Sequence, residues 1–151
     1  MTSLKVGDSL PPMTLTTHQG NQISLNELQQ PLVLFFYPRD GTPVCTKEAC
    51  AFRDAYEEFV EAGAIVIGIS SDSAESHGEF AAAHRLPFDL VPDTDGKIRQ
   101  AIGVPKTLGL FPGRVTYIVD REGVIRHMFS SQMDAQRHVT EALQFLRDLQ
   151  S

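Results

Sequence analysis

Two cysteines, Cys45 and Cys50, are the residues whose type and spacing could do chemistry, and they lie only five positions apart. An ionised thiol can act as a nucleophile, form a disulfide or bind a metal ion. Thr42 is a favoured N-cap and Pro43 a favoured first helical residue, so the pattern predicts a helix with Cys45 in its first turn. Unpaired N–H groups and the helix dipole stabilise a thiolate there. The sequence therefore predicts a reactive thiol at Cys45.

The predicted helix continues to Gly63, and its geometry separates the two thiols. Cys45 falls within about 20° of the apolar Phe52, whereas Cys50 is about 160° from Phe52, on the opposite face. In an ideal helix their Cα atoms are about 8.6 Å apart, beyond the limit of about 7 Å for a disulfide. A disulfide between them therefore requires the first helical turns to unwind.

Other uses of two cysteines stay open at this point. A general disulfide oxidoreductase normally uses the shorter C-x-x-C spacing. A metal site is disfavoured because the thiols face apart and none of the 5 histidines pairs closely with them in sequence. Both cysteines could instead be small buried apolar residues, although the helix start favours this less for Cys45 than for Cys50.

The elements that position this helix follow an alternating pattern of apolar runs and helical periodicity. Strands are predicted at 32–37, 64–70, 88–91, 115–120 and 124–129. Helices are predicted at 42–63, 73–84 and 134–149, and a hairpin turn at 121–123. The helix between the first two strands makes them parallel, whereas the hairpin makes the last two antiparallel. We expect an α/β fold with a mixed sheet flanked by helices on both faces, in one domain over 1–151.

Composition limits the partners and the compartment. The net charge of −6 and the pI of about 5.3 argue against a nucleic-acid or anionic-membrane surface. The N-terminus lacks a secretory signal, and no apolar run reaches the roughly 20 residues of a membrane helix. We therefore expect a cytoplasmic protein. In that reducing compartment a cysteine pair is catalytic or redox-sensing more often than structural.

A signature then extends the pattern around Cys45. Pro38, Thr42 and Cys45 form P-x-x-x-T-x-x-C, which resembles the signature of peroxiredoxins. The longer string FFYPRDGTPVCTKEACAFRD resembles the PrxQ type, also called bacterioferritin comigratory protein, and the resemblance extends from KVGDSLPPMTL through the last helix. It implies a thioredoxin-like fold with an N-terminal β-hairpin. It also implies reduction of hydrogen peroxide and organic hydroperoxides with no metal or organic cofactor.

The resemblance assigns roles to individual residues. Cys45 matches the peroxidatic cysteine, and Cys50 matches the resolving cysteine of some members. Arg114 matches the active-site arginine, Glu48 a position that helps to hold this arginine, and Tyr37 a supporting position. Val44 departs from the glycine of many PrxQ sequences, which bears on subtype and substrate. No cysteine lies in 73–84, the other location of the resolving thiol, so Cys50 is the candidate within the chain.

Physical chemistry supports these roles, although each residue also has a simpler structural interpretation. Negative charge grows on the leaving oxygen when an O–O bond breaks, so fixed donors such as Arg114, the Thr42 hydroxyl and the Cys45 N–H would accelerate the reaction. Pro38 has no N–H and could shield the thiolate from water. Alternatively Thr42 is only a cap, Pro38 ends a strand, Arg114 is a solvated edge charge and Glu48 a surface residue.

The predicted function is a thiol-dependent peroxidase. Cys45 becomes a sulfenic acid, Cys50 resolves it as an intramolecular disulfide, and thioredoxin or a similar dithiol reduces the disulfide. The partners expected are a hydroperoxide and this reductant, and the protein is expected to be a monomer. The alternative is a peroxide-sensing or chaperone-like switch that uses the same pair.

Overall fold

The computed structural model describes residues 3–25, 27–104, 114–131 and 134–150. Seven strands are described: β1 (Thr14–Thr16), β2 (Gln22–Ser24), β3 (Leu32–Phe36), β4 (Ile65–Ser70), β5 (Asp89–Pro92), β6 (Val115–Val119) and β7 (Ile125–Ser130). Five helices are described: α1 (Pro43–Asp54), α2 (Tyr56–Glu61), α3 (Ala74–His84), α4 (Lys97–Ile102) and α5 (Ala135–Gln150).

A mixed five-stranded sheet has the order β5-β4-β3-β6-β7. The central strand β3 pairs in parallel with β4 and antiparallel with β6. At the edges, β5 pairs in parallel with β4, and β7 pairs antiparallel with β6. All five residues of β3 are buried, which explains why this strand is an unbroken apolar run. Strands β1 and β2 form a separate antiparallel hairpin. The predicted mixed sheet and N-terminal hairpin are confirmed, whereas the single domain over 1–151 stays a prediction.

Two apolar layers enclose the sheet. On one face Phe35 packs with residues of α1, α2, α3 and α5. On the other face Phe36 packs with Leu15 of the hairpin and Ile102 of α4. The right-handed crossovers from β3 to β4 and from β4 to β5 place α1 and α3 on the same face. Helices therefore lie on both faces, as predicted, but one face carries four of the five described helices.

Aromatic packing fixes α1 on the sheet. The Phe52 ring of α1 stacks on Phe35 with centroids 4.4 Å apart. Phe35 in turn occupies the space above Gly68, where an added Cβ would lie 2.6 Å from its ring. Any larger residue at position 68 would displace the ring that positions α1.

Two features differ from the sequence-based expectation. The helix predicted over 42–63 is broken at Ala55, where ψ is 6°, into α1 and α2. Phe52 and Phe59, on either side of this break, are buried in the same core. Helix α4 was not predicted, because its six residues between two left-handed glycines are too few to show a periodic pattern. Among the described helices, none is long and apolar enough to cross a membrane.

Candidate active site

The start of α1 places Cys45 in the first helical turn. Thr42 has the extended backbone of an N-cap, and Pro43 is the first helical residue. The first helical bond joins the Thr46 N–H to the Thr42 carbonyl at 2.9 Å. The Cys45 N–H therefore precedes the bonded ladder and points out of the helix start, where it is a donor for an incoming oxygen.

The Thr42 side chain does not cap the helix. Its hydroxyl donates to the Arg39 carbonyl at 3.0 Å, within the loop that precedes α1. Pro38 lies half-buried at the beginning of the same loop. The Thr42 backbone is thus the N-cap of α1, whereas its side chain stabilises the loop before the helix. To donate to a substrate, the hydroxyl would have to release Arg39.

Arg114 lies against the Cys45 sulfur. Both side chains are buried, with 4% and 1% exposure, although Arg114 is next to the first residue of β6. Burial lowers the pKa of Arg114, but the charge of Glu48 and the charge and hydrogen bond of Cys45 outweigh burial and raise it. The interpretation of Arg114 as a solvated edge charge is therefore wrong, and a permanent cation contacts the candidate nucleophile.

Glu48 holds this arginine from the side of α1. Its Oε1 accepts from Arg114 Nη1 at 2.8 Å, and its side chain has no exposed surface. Glu48 follows Cys45 by three residues, so both side chains lie on the inward side of one helix. Burial raises the pKa of Glu48 to about 7, against the opposing effect of Arg114. The alternative interpretation of Glu48 as a surface residue is wrong.

A buried histidine lies behind Glu48. His138 of α5 has Nδ1 3.5 Å from Glu48 Oε2 and 2.8 Å from the Thr116 hydroxyl. Its Nε2 is 2.8 Å from the Ser131 carbonyl. Because Nε2 must donate to this carbonyl, a neutral ring accepts the Thr116 proton on Nδ1. Burial lowers the pKa of His138 and favours this neutral form.

On the other side of Cys45, the loop before α1 is tied to α3. Asp40 Oδ1 accepts from the Tyr37 hydroxyl at 2.6 Å. Its Oδ2 lies 2.7 Å from His77 Nδ1 and accepts from the Ser76 hydroxyl at 2.9 Å. Burial raises the pKa of Asp40, but these hydrogen bonds outweigh burial and lower it. Tyr37 thus contacts the loop through an aspartate that no sequence pattern singled out, and its supporting role in the site stays a prediction.

The Asp72 carboxylate completes this connection. Its Oδ2 accepts from the Asp40 N–H at 2.8 Å and from the Ser70 hydroxyl at 2.7 Å. Asp40, Asp72 and His77 bring three potential metal-ligand atoms within 4.8 Å of one another. Because the ligand oxygens already accept short hydrogen bonds from the chain, we interpret the three residues as a structural hydrogen-bond network.

Arg99 is a second cation near the thiol. It donates to the Tyr37 carbonyl at 3.1 Å, and its guanidinium lies 5.4 Å from the Phe36 ring centroid. Burial lowers the pKa of Arg99, and the charges of Asp93, Tyr117 and Cys45 oppose this shift only in part. Arg99 belongs to α4, so the residue was missed together with its helix.

Cys50 occupies a different environment from Cys45. It is half-buried on α1, its Sγ is 3.8 Å from His84 Nδ1, and both cysteines are free thiols. Helix α1 is continuous from Pro43 to Asp54, so the structure shows the two thiols within one folded helix. His84 is therefore close to Cys50 in space, although 34 residues separate them in the chain.

Comparison with known proteins identifies the scaffold that carries this site. The AhpC/TSA family model matches residues 6–128, which include both cysteines and Arg114. The chain belongs to the AhpC/TSA family. The predicted peroxiredoxin of the Q type is thereby confirmed, and the family membership makes the chain a peroxidase.

Similar proteins agree in sequence and structure. Chloroplastic peroxiredoxin Q of Sedum lineare is 47% identical over 145 residues, covering 95% of this chain and 78% of the relative. Peroxidoxin BcpB of Mycobacterium tuberculosis superposes with a TM-score of 0.88 and 36% identity over 98% of this chain and 99% of that chain. A bacterioferritin comigratory protein of Xanthomonas campestris, studied for alkyl peroxide reduction, gives a TM-score of 0.85 at 30% identity, covering 95% and 100%.

Proposed function

We propose that this peroxiredoxin reduces hydroperoxides with Cys45 as the attacking thiol. The observation that carries the proposal is the buried Cys45 sulfur, hydrogen-bonded to Arg114 at the start of α1. The thiolate attacks the terminal peroxide oxygen and the O–O bond breaks. Cys45 is oxidised to a sulfenic acid, and the departing oxygen takes the electron pair and then a proton, giving an alcohol or water.

Arg114 and the Cys45 N–H are the donors best placed for this step. Arg114 remains charged, and its planar group can contact thiolate and peroxide together. Glu48 restricts the orientation of this group through a 2.8 Å contact. Donors that are fixed before the reaction stabilise the developing charge without reorganisation, and removing one donor typically costs about 100-fold or more in rate.

Cys50 then resolves the sulfenic acid. Its thiolate attacks the Cys45 sulfur, the S–O bond breaks, and the hydroxide takes a proton to form water. Since α1 holds both thiols in one continuous helix, and a folded helix keeps the Cα atoms about 8.6 Å apart, the first turns must unwind for the disulfide to form. An external dithiol, for which we propose thioredoxin, then reduces the disulfide.

Replacing Cys45 by serine tests the first step. With thioredoxin, its reductase and either hydrogen peroxide or an organic hydroperoxide, we expect the parent to turn over many times and Cys45→Ser to lose activity. A Cys45→Ser variant that retains turnover would show that Cys45 is not the nucleophile. A parent that is oxidised only once would instead support the alternative of a redox switch.

Mass spectrometry after one equivalent of peroxide tests the second step. The parent should lose two hydrogens as it forms the Cys45–Cys50 disulfide, whereas Cys50→Ser should retain one added oxygen on Cys45. A parent that also accumulates the sulfenic acid would contradict the resolving role of Cys50. The cytoplasmic location, the monomeric state and the absence of a nucleic-acid partner stay predictions.

A further inference from the structure

The side chain that contacts Cys50 belongs to the last residue of α3. His84 Nδ1 lies 3.8 Å from Cys50 Sγ, within the range of a hydrogen bond that involves sulfur. A neutral imidazole with its proton on Nε2 presents the Nδ1 lone pair to a thiol. Both residues are half-buried, so water does not fully replace this contact.

One contact with α1, one contact within α3 and the end of α3 fix the position of His84. Arg53, three residues after Cys50, donates to the His84 carbonyl at 2.8 Å. The His84 ring lies edge-on to Phe80 with centroids 5.1 Å apart. Arg85 ends α3 in a left-handed conformation with φ of 53°, which makes His84 the last helical residue. The His84 backbone is thus attached, through Arg53, to the segment of α1 that carries Cys50.

The charged groups around the pair come from both helices. On α1, Arg53 forms an ion pair with Asp54 at 3.0 Å, and Lys47 and Asp54 line a surface groove with Cys50. Just past the end of α3, Arg85 follows His84 directly in the chain. The group in direct contact with the Cys50 thiol is the His84 imidazole.

We propose that His84 is the base that activates Cys50 for disulfide formation. His84 Nδ1 takes the proton from Cys50 Sγ, and the resulting thiolate attacks the Cys45 sulfenic sulfur. As the S–O bond breaks, the hydroxide receives the proton from the imidazolium, directly or through solvent, and leaves as water. The peroxide already consumed is the oxidant, so this step needs no other redox reagent. The inference rests on the proposed resolving role of Cys50.

The order of events follows from the location of the pair. The contact exists while α1 is folded, so Cys50 can lose its proton before the first helical turns unwind. A free thiol with an ordinary pKa of about 8.5 is only about 3% thiolate at pH 7. A neighbouring base therefore has its largest effect below pH 8 and none where every thiol is already ionised.

Alkylation of Cys50 tests the pair without the catalytic cycle. In a Cys45→Ser background, the rate of reaction with iodoacetamide is measured from about pH 5.5 to 9.5, with His84 and with His84→Asn. We expect His84→Asn to slow alkylation about 10-fold at pH 7 and to match the parent at the alkaline end. Added imidazole should restore part of the rate. Identical pH profiles for the two proteins would overturn the proposal.

A matched control separates this effect from simple packing. His127 is also half-buried and has a carboxylate neighbour, with Nε2 3.4 Å from Glu141, and its ring stacks on Phe145. His127→Asn should therefore leave the Cys50 alkylation profile unchanged. If His127→Asn shifted the profile as much as His84→Asn, the effect would be general and the assignment of His84 would be wrong.

A single-turnover experiment connects the pair to catalysis. After one equivalent of peroxide, His84→Asn should accumulate a dimedone-reactive sulfenic acid at pH 7 and form the disulfide about 10-fold more slowly than the parent. A parent that forms no disulfide would disprove the resolving role of Cys50, and with it the role of His84. A parent and variant that form the disulfide equally fast at every pH would disprove the role of His84 alone.

Discussion

Two carboxylate–histidine pairs, Asp40 with His77 before α1 and Glu48 with His138 on its inward side, behave in opposite ways. Asp40 accepts hydrogen bonds from Tyr37, Ser76 and His77, and its pKa is lowered. Glu48 accepts one bond from Arg114, its Oε2 has no hydrogen-bond partner among the described residues, and its pKa is raised. Glu48 is more deeply buried and accepts fewer hydrogen bonds than Asp40, so desolvation raises its pKa, whereas the donors around Asp40 outweigh desolvation.

The two pairs also have different effects on the site. The Asp40 pair connects the loop before α1 to α3 with a stable anion, whereas Glu48 can change charge near neutral pH while it holds Arg114. We therefore expect the Asp40 side to set the stability of the loop. Glu48 should set how firmly Arg114 is oriented.

The largest expected effect concerns Glu48 and stability. A pKa raised from 4.5 to about 7 corresponds to about 3 kcal/mol, at about 1.4 kcal/mol per pKa unit. Because the folded pKa is the higher one, this contribution is fully present below pH 4.5 and is lost as the pH rises through about 7. As the pH rises from 4.5 to 8, the parent should lose about 3 kcal/mol of unfolding free energy. Glu48→Gln should keep this free energy, because its side chain does not ionise.

Urea unfolding at several pH values measures this difference. The matched control is Glu141→Gln, which removes a carboxylate from a partly exposed site on α5. Its free energy of unfolding should change with pH in the same way as that of the parent. If Glu48→Gln and the parent lose stability in parallel over this range, Glu48 does not carry the elevated pKa and the contrast with Asp40 disappears.

The next effect concerns Arg114 and rate. Arg114→Lys keeps the charge but loses the planar group that can contact Glu48, the thiolate and the substrate together. We expect kcat/KM for peroxide to fall about 100-fold, measured by competition with a second peroxidase. Arg126→Lys is the control, because Arg126 is half-exposed and paired with Asp120. A decrease of less than a few-fold for Arg114→Lys would show that charge alone is sufficient.

Asp40 should show the opposite pH dependence from Glu48. Asp40→Asn loses charge-assisted hydrogen bonds from Tyr37 and His77, and we expect a loss of about 2 kcal/mol in the free energy of unfolding at pH 7. A lowered folded pKa gives stability that is present above the unfolded pKa and lost as the pH falls through the folded one. The variant and the parent should therefore converge in acid. A constant difference down to pH 2 would exclude ionisation as the cause.

The smallest effect is expected for Arg99. Arg99→Gln removes a charge that interacts with Cys45 and weakens the bond to the Tyr37 carbonyl. We expect kcat/KM to decrease about 5-fold, since a partly buried charge near a thiolate contributes about 1 kcal/mol. The decrease should grow as salt is lowered. An effect as large as that of Arg114→Lys would make Arg99 an equal partner in the active site.

Much of the fold follows from patterns that a sequence displays directly. The apolar run 32–36 and the periodicity through Phe52 predict a strand followed by a helix, because burial on a whole face leaves a periodic trace. Helix α4 leaves no such trace. It is fixed instead by Asp93, whose carboxylate accepts from the Ile98 and Arg99 N–H groups, and such a cap is recognisable only after the fold is known.

The candidate site divides in the same manner. Cys45 and Thr42 are indicated by the P-x-x-x-T-x-x-C motif, and Arg114 by the family resemblance. Neither signal identifies the residues that surround them in the fold. His77, His84 and His138 were not indicated, because each meets its partner only when α3 or α5 packs against α1. A weak signal did exist, since His138 falls on the buried face of α5 between Ala135 and Ala142, and a polar residue on an apolar stripe requires a partner.

In the proposed catalytic cycle, the break at Ala55 affects how α1 refolds after each oxidation. Phe52 stacks on Phe35 and lies beyond Cys50, so local unfolding of the first turns can leave this end of α1 in the core. Helix α2 is a separate hydrogen-bonded unit and need not open with α1. After reduction, α1 can then grow back from an existing turn and avoid the slow nucleation of a new helix. In hydrogen exchange, we expect the oxidised protein to lose amide protection near Cys45 and to keep it around Phe59.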